Sequence, residues 1–566
     1  MIKSYSADFE TTTDPNDCRV WAWGITNIDN LNEKYVGNNI ETFMLKCQDL
    51  GCCDIYFHNL RFDSQFIIYW MLTHKFEFSS NSMELEPLEF SLLMNGSNAM
   101  YNLKVCFRAF TSKKGKYIRQ CVTFKDSLKK IPFSVAKIAK DFKLPISKLE
   151  IDYHEKRPYG HELTQQEQDY LNNDIEIVAR ALKIQFEKGL TRLTIGSDSL
   201  NSYKRTMPSF DEYFPQLEKP IDTFCRRAYH GGWCYVNPKF QCKDVGKGMV
   251  FDVNSLYPWA LYYNEYPVGR PIYYEGKYVE DNEYPLYIQR IRCFFKLRKG
   301  KFPIIQLKNS VNFMNTEYVV ESDDEYELTL CNVDLQLFLE NYEVDNITYL
   351  DGFKFKKEKD LFKDYIDQWT YVKENSEGAI RSIAKLMLNS LYGKFATNPH
   401  VIEKKPVLEN KTIKYEMSDE YDKGGIYVPV GLFCTAYARE KTIRTAQKVY
   451  DRFIYADTDS LHITGTEVPK AIEHDVHPTH LGFWKLESTF NRARFLKAKT
   501  YIEENEELEV KCAGMPQPVK DKVTWDNFKV GFSEYGKLVP VNVEGGVVLE
   551  DRTFSIKKFK MNKPIA

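Results

Sequence analysis

The 566-residue sequence contains no Cys-x-x-Cys pair, no run of 18 uncharged apolar residues, no internal repeat and no low-complexity linker. Its 13 cysteines are odd in number and scattered, apart from the adjacent Cys52 and Cys53. That pattern excludes a zinc ribbon or a disulfide scaffold and leaves buried free thiols as the expectation. Without a long apolar run, nothing is expected to span a bilayer. At the start, Asp8 stands where a secretory signal would need its apolar core, so a cytosolic protein is expected. Charge of one sign is missing too: 77 Lys+Arg against 79 Asp+Glu leave −2, so the net charge does not announce a nucleic-acid partner. What remains is ordinary globular composition, 43% hydrophobic and 28% charged, long enough for several domains with buried cores.

Charge is nevertheless uneven along the chain. Residues 101–150 carry 13 Lys/Arg against 3 acids, interleaved with Phe107, Phe110, Tyr117, Phe124 and Phe133. Cations mixed with aromatic rings suit a groove that tracks a phosphate backbone. The first ~190 residues read as α/β, with strands at Tyr5–Phe9, Ile55–Phe57 and Val105–Phe110. Thr164 and Glu167 have capping-box spacing and open a long helix to about Phe186. A boundary follows near Gly189–Gly196. Beyond it lie a strand at Gly248–Val253, a strand-rich stretch at 264–360, helices at 361–395, a loop or hairpin at 397–427 and a hairpin at Phe453–Thr464.

Carboxylates collect at strand ends. Asp8-Phe9-Glu10 points two acids to one face of the first strand, because side chains alternate. Asp63 follows the second strand, and Tyr170 and Asp174 share one face of the capped helix at i, i+4. Such a cluster is what two-metal phosphodiester hydrolysis requires, since hard cations take oxygen ligands and the phenol can orient a water. The second constellation is Asp252 at a strand end and Asp457-Thr458-Asp459 at a hairpin tip. Asp-Thr-Asp alone reads as a side-chain-capped turn; together with Asp252 and the following helix it points to phosphoryl transfer. That helix, Ser376 to Tyr392 with Gly393 as its stop, presents Arg381, Lys385, Asn389 and Tyr392 on one face. A stripe of this kind is suited to a triphosphate and a base, with Lys373, three turns earlier, as a second phosphate contact.

These motifs together resemble the protein-primed family B DNA polymerases, in particular the phi29-type phage replicative enzymes, over nearly the whole chain. Asp8-x-Glu10, Asn59-x-x-x-Asp63 and Tyr170-x-x-x-Asp174 match the three proofreading motifs, and Lys148-Leu149-Glu150-Ile151 matches the catalytic-lysine motif. Tyr229-His230-Gly231-Gly232, Asp252-x-x-Ser255-Leu256-Tyr257-Pro258, Lys385-x-x-x-Asn389-Ser390-x-Tyr392-Gly393, Thr435-x-x-x-Arg439, Tyr455-x-Asp457-x-Asp459 and Lys499-Thr500-Tyr501 match the polymerisation motifs. The resemblance implies a DNA-directed DNA polymerase with a 3′→5′ exonuclease. Asp252, Val253 and Asp459 would hold the polymerisation Mg²⁺ ions with Asp457 in support, and Asp8, Glu10 and Asp174 those of the exonuclease, two per site with Mn²⁺ as substitute. Val253, Tyr257, Lys373, Lys385, Asn389 and Tyr392 would contact the dNTP, Tyr257 as steric gate. Thr11, Tyr56, His58, Asn59, Phe62, Phe66, Ser127 and Leu128 would hold the frayed strand, and Tyr229, Gly231, Gly232, Thr435, Arg439, Lys499 and Tyr501 the primer-template.

The implied fold is an α/β and α+β multidomain chain. A ribonuclease-H-like exonuclease domain (1–190) precedes a right-hand polymerase: palm (191–263 and 428–513), fingers (361–396) and thumb (514–566). Two insertions would contact the priming terminal protein (264–360) and encircle DNA for processive strand displacement (397–427). Implied partners are primer-template DNA, dNTPs, a terminal protein and a single-stranded-DNA-binding protein, for a monomer encoded by a phage and acting in the host cytoplasm. In departure from the family, the Tyr501–Lys511 connection is short and a tail, Lys558–Ala566, runs past the usual end. Two other readings compete: a nuclease whose second half only grips DNA, and a non-catalytic scaffold. The intact cationic helix and acids argue against both.

Overall fold

The computed structural model describes residues 2–95, 98–153, 155–308, 314 and 317–565, with the backbone alone at 418–421. Met1 and Ala566, at the ends of the expected domains, lie outside the described residues, as do 309–313 and 315–316 of the strand-rich stretch. An eight-stranded sheet occupies the N-terminal part. At its centre, strand Lys3–Thr11 pairs in parallel with Cys53–Phe57, which pairs in parallel with Tyr117–Asp126. Strand Val20–Asn27 is buried along its whole length, as expected of a strand covered on both faces. The covering element is helix Gln165–Glu187, whose Thr164 cap and Glu167 complete the expected capping box. Its approach is close: a Cβ on Gly24 would lie 3.0 Å from Leu171 Cγ.

A five-stranded antiparallel sheet forms the middle of the molecule, in the order Trp484–Phe490, Gly248–Val253, Ser460–Thr464, Phe453–Asp457, Cys234–Val236. In its register both Asp252 and Asp457 stand opposite Ser460, which places the acids at one end. The stretch expected to be strand-rich holds a four-stranded sheet of Tyr266–Glu275, Tyr342–Glu358, Leu286–Leu297 and Tyr326–Cys331, with helix Asn332–Asn341 against it. Helices Lys363–Glu374 and Gly378–Phe395 follow, then a hairpin of His400–Glu409 and Thr412–Asp422. The chain ends in a small sheet including Arg492–Lys497 and Thr500–Glu504, and in a long hairpin of Ser533–Val543 and Gly546–Ser555.

Three expectations are corrected. Gly393 does not stop its helix, which continues through Phe395 because Leu391 and Phe395 keep burying the same apolar face. Lys373 sits on the preceding helix, not on an extension of this one. The basic–aromatic block at 101–150 is not one groove: Phe107 and Phe124 are core residues, while Phe110 and Tyr117 are exposed. Nor does the N-terminal part bury its surface alone. One apolar cluster joins Ile131, Ile138 and Leu182 to Phe362, Leu391 and Tyr427, well across the 190 boundary. All 13 cysteines are free thiols, and no described helix is long and apolar enough to cross a membrane.

Two candidate carboxylate centres

The first centre sits where strand Lys3–Thr11 meets helices Leu60–Thr73 and Gln165–Glu187. Asp8 and Glu10 project from one face of the strand, Asp63 from the first turn of its helix and Asp174 from the middle of the other. Glu10, Asp63 and Asp174 are buried. Burial raises all four, and repulsion adds to it in three: Asp8 reaches about 7, through desolvation and Asp174, and Glu10 and Asp63 rise well above the carboxylate range from desolvation and Asp8. Desolvation also raises Asp174, although Lys148 pairs with it and opposes the shift. Lys148 keeps its proton: burial is the largest influence and opposes it, but the hydrogen bond and charge of Asp174, with Tyr153 and Asp8, together outweigh it. It also donates to Tyr170 Oη at 3.1 Å.

A cleft of about 770 Å³ opens onto this centre, lined by Asp8, Glu10, Thr11, His58, Phe62, Lys148, Tyr170 and Asp174. Thr11 and Phe62 thus face the space, and Asn59 is exposed in a left-handed turn at φ 77°. The His58 ring is held on both sides, by Ser127 Oγ at 3.0 Å and by the Phe133 carbonyl at 2.7 Å. Leu128 is half-buried. Direct strand contact is corrected for Tyr56, Phe66 and Ser127, which are interior residues at 3%, 2% and 0% exposure and shape the cleft from beneath. Two contributions escaped the sequence reading. Tyr153 hydrogen-bonds Tyr170 and lines the cleft; an aromatic ring five residues past Lys148 was a usable signal. Leu538, Val548, Leu549 and Asp551 of the C-terminal hairpin form the opposite wall, and no local pattern announced them.

The second centre lies at the end of the middle sheet. Asp252 is the penultimate residue of its strand, Asp457 ends strand Phe453–Asp457, and Asp459 follows a turn through Thr458 at φ 62°. The Val253 amide donates to the Asp459 carbonyl at 2.8 Å, locking the two acid-bearing segments together. Desolvation and Asp459 push Asp252 up to about 7; desolvation, then Asp457, raises Asp459. Asp457 is already paired, with Lys499 Nζ at 2.8 and 2.9 Å from its two oxygens. Tyr455 Oη donates to Asp457 at 3.2 Å and accepts the Lys499 amide at 2.9 Å. Half-buried Tyr501 stacks on Phe495 with ring centroids 5.0 Å apart.

Around this centre, the rings of Tyr257 and Tyr392 stack at 3.9 Å and 20°. Arg381, Lys385 and Asn389 form the expected exposed stripe, and Lys373 is drawn to it: the Lys373 carbonyl accepts from Arg381 at 2.8 Å. Desolvation, then Arg381 and Lys385, lowers the Lys373 ammonium, so these cations repel one another and an anion among them is favoured. Half-buried Tyr229 leads into exposed Gly231 and into Gly232, which rides directly over the acid turn. A Cβ there would fall 2.3 Å from Thr458 Oγ1. Direct DNA contact is corrected for Thr435 and Arg439. Thr435 is buried with its hydroxyl on the Leu432 carbonyl. The buried Arg439 guanidinium is taken up by Asp334 and by the carbonyls of His230 and Gly231 at 2.6 and 2.7 Å. It positions the Tyr229–Gly232 segment from behind.

Among the described residues no three His, Cys, Asp or Glu side chains form a closed metal-ligand set. The donor chemistry still suits a hard cation, because Mg²⁺ is ordinarily held by one or two carboxylates and completed by substrate phosphates and water. In the first centre Asp174 Oδ1 is buried without a hydrogen-bond partner, and Asp8, Glu10 and Asp63 in that centre and Asp252 and Asp459 in the other are raised by neighbouring carboxylates, the condition a divalent ion relieves.

Comparison with known proteins is consistent with this layout. The family model for DNA polymerase type B, organellar and viral, matches residues 51–478. The DNA polymerase of Bacillus phage M2 is 49% identical over 98% of this chain and all of its own, and that of Bacillus phage phi29 is 48% identical over 98% and 99%. The DNA polymerase of Streptococcus phage Cp-1 is 33% identical over 99% of both chains. The structure of phi29 DNA polymerase complexed with primer-template DNA and incoming nucleotides superposes with a TM-score of 0.94 at 46% identity, covering 98% of this chain and 100% of that one. This chain belongs to the type B DNA polymerases of the organellar and viral family.

Proposed function

We propose that the chain is a DNA-directed DNA polymerase with a 3′→5′ proofreading exonuclease, working on primer-template DNA and dNTPs. The observation that carries this reading is the gathering of Asp252 and the Asp457–Asp459 hairpin turn at one end of the middle sheet, where the acids act on one another and Asp459 on Tyr392 of the cationic helix. Asp252 and Asp459, with the Val253 main chain, would hold Mg²⁺ or Mn²⁺ in one centre, and Asp8, Glu10 and Asp174 in the other. The ions supply electrostatic stabilisation of the charge that develops as a phosphodiester forms or breaks. Lys385, Arg381 and Lys373 receive the triphosphate, orienting its α-phosphate toward the primer 3′-hydroxyl. Tyr257, braced by Tyr392, fills the space that a ribose 2′-hydroxyl would need. Lys499 compensates Asp457, which keeps a third carboxylate close without adding its full repulsion. In the exonuclease, Lys148 donates to both Asp174 and the Tyr170 hydroxyl, which keeps the two proton donors beside the acids.

In domain terms, residues 1–190 carry the exonuclease, 191–263 and 428–513 the palm, 361–396 the fingers and 514–566 the thumb. The sheet within 264–360 is the docking site for a terminal protein that primes synthesis. The hairpin within 397–427 makes the enzyme processive and strand-displacing. Its placement supports that role: Tyr415 Oη donates to Gln65 at 3.0 Å, Lys411 pairs with Glu544 at 3.0 Å and Asn542 donates to the Ile413 carbonyl at 3.0 Å, joining exonuclease, hairpin and C-terminal hairpin. A chain closed in this way holds DNA without a separate clamp. The enzyme acts as a monomer, with a single-stranded-DNA-binding protein as accessory. Its relatives are bacteriophage proteins, which supports action in the cytoplasm of an infected host.

The test is a primed single-stranded circle with dNTPs and Mg²⁺. Product longer than one circumference is expected; no extension would overturn the polymerase reading, and arrest after one lap the strand-displacement part. Asp459→Ala should abolish extension and leave degradation of single strands, and a combined Asp8→Ala and Asp63→Ala change should do the reverse.

A further inference from the structure

The chain leaves the C-terminal hairpin at Ser555 and runs back along the outer edge of the middle sheet. Every third residue of that segment, Phe559, Asn562 and Ile565, is half-buried, and those between are exposed. Phe559 packs on the cluster containing Leu496, Ile502 and Phe528. Met561 Sδ lies 3.7 Å from Cys242 Sγ. The Asn562 amide donates to Gln241 Oε1 at 2.8 Å, and Ile565 rests on the apolar cluster of Trp233, Tyr235 and Tyr318. Lys560 pairs with Glu317 at 2.7 Å.

The surface so covered is the sheet's exposed flank. Strand Cys234–Val236 is the outermost of the five, and its one strand partner carries Asp457 opposite Cys234. An edge strand presents outward N–H and C=O groups with no ladder to meet them. Here two side chains meet them: Tyr318 Oη accepts the Cys234 amide at 3.2 Å, and Asn562 Nδ2 donates to the Val236 carbonyl at 2.6 Å. Tyr318 comes from the inserted region and Asn562 from the C-terminal segment, and the Glu317–Lys560 pair ties the two caps to each other.

We propose that residues 557–565 are an intramolecular strap. They occupy the groove between the edge strand, the turn at Gln241–Cys242 and the inserted loop at Glu317–Tyr318. Seated there, the strap caps the strand that braces Asp457 and fastens the inserted region to the middle sheet. Asn562 is its positioning residue, acting through the strand and not on any substrate.

The experiment compares the full chain with one ending at Lys557, with and without a synthetic peptide of residues 558–566. Hydrogen exchange at Cys234–Val236 is expected to quicken at least tenfold in the shortened chain and to return to the original rate as peptide is added, saturably. DNA-primed extension should fall and recover in parallel; that second readout rests on the polymerase reading, whereas exchange does not, so the two can fail separately. A peptide carrying Asn562→Ala should restore neither. Unchanged exchange in the shortened chain, or exchange that the peptide cannot slow, would overturn the strap. Should the shortened chain not fold, Lys560→Glu in the full chain decides: faster exchange that is reversed by adding Glu317→Lys supports the strap, and no change overturns it.

Discussion

Tyr257 and Tyr392 show how much one side-chain contact can decide. Their rings stack at 3.9 Å, so a residue on another helix braces the Tyr257 ring. Replacing it, Tyr257→Val, opens the volume beside the sugar without removing a charge. The expected result is a rise of about tenfold or more in ribonucleotide use relative to deoxyribonucleotide use, read as the ratio of kcat/KM values; an unchanged ratio would remove the gate assignment. Gly232 is a second single-residue constraint. An added methyl would meet Thr458 Oγ1 at 2.3 Å and Cγ2 at 2.6 Å, displacing the turn between Asp457 and Asp459. Gly232→Ala should therefore depress extension while single-strand degradation continues. Adding Thr458→Gly, which relieves the clash and accepts the left-handed φ of 62°, should restore much of the rate.

Helix Gln165–Glu187 is the element whose stability the exonuclease centre depends on, since it delivers both Tyr170 and Asp174. Its start is built around one buried carboxylate. Glu167 accepts from Arg157 Nε at 2.7 Å, from His161 Nε2 at 2.8 Å and from the Thr164 amide at 2.9 Å. Burial alone would raise this group, but the donors win and hold it near 2 against a usual 4.5. A carboxyl depressed on folding contributes stability that is full above 4.5 and disappears as pH falls toward 2. Each tenfold gain in acidity on folding is worth about 1.4 kcal/mol, so Glu167→Gln should cost on the order of 3 kcal/mol near neutrality. Urea unfolding should show the gap between variant and parent narrowing below pH 4.5 and closing by about pH 2. A gap that persisted unchanged through that acid range would show that packing, not charge, is responsible.

At the scale of the whole molecule, the two activities share a core. The Lys130 ammonium, from the exonuclease side, is wholly buried; it pairs with equally buried Asp198 and donates to the Leu190 and Arg192 carbonyls at 3.0 and 2.8 Å. The adjacent Ser199 Oγ reaches the Met387 carbonyl of the cationic helix at 3.3 Å. Removing one member of a buried pair leaves an uncompensated charge and costs about 3–5 kcal/mol, whereas replacing both by apolar groups is often nearly neutral. Asp198→Ala should lower the melting temperature and weaken extension and degradation together, and Lys130→Met with Asp198→Leu should recover most of the loss. Selective loss of one activity would argue that the halves are energetically separate.

Much of this arrangement was legible along the chain. Local chemistry is written locally: the Thr164–Glu167 capping box, the alternation that puts Asp8 and Glu10 on one face, and the i, i+4 pairing of Tyr170 with Asp174 depend only on neighbours in sequence. The exposed stripe of Arg381, Lys385 and Asn389 is legible for the same reason. Its end was misread at Gly393, because a glycine's helix-breaking tendency of about 1 kcal/mol yields to continued burial of Leu391 and Phe395. The strand-binding residues divided along this line. Tyr56, Phe66 and Ser127 have suitable side chains, yet burial, a sum over distant segments, turned them inward. Arg439 reads as a cation for DNA until Asp334, 105 residues away, claims it.

What the amino-acid order determined unaided was the inventory of acids, cations and rings, and the elements that carry them. Only the folded chain decided which of them share a pocket: that Lys499 neutralises Asp457, that the C-terminal hairpin walls the exonuclease cleft, and that the last residues cap a sheet edge. Those contacts join segments far apart in the sequence, and they form because separate apolar faces must be buried against one another, a requirement that no local pattern records.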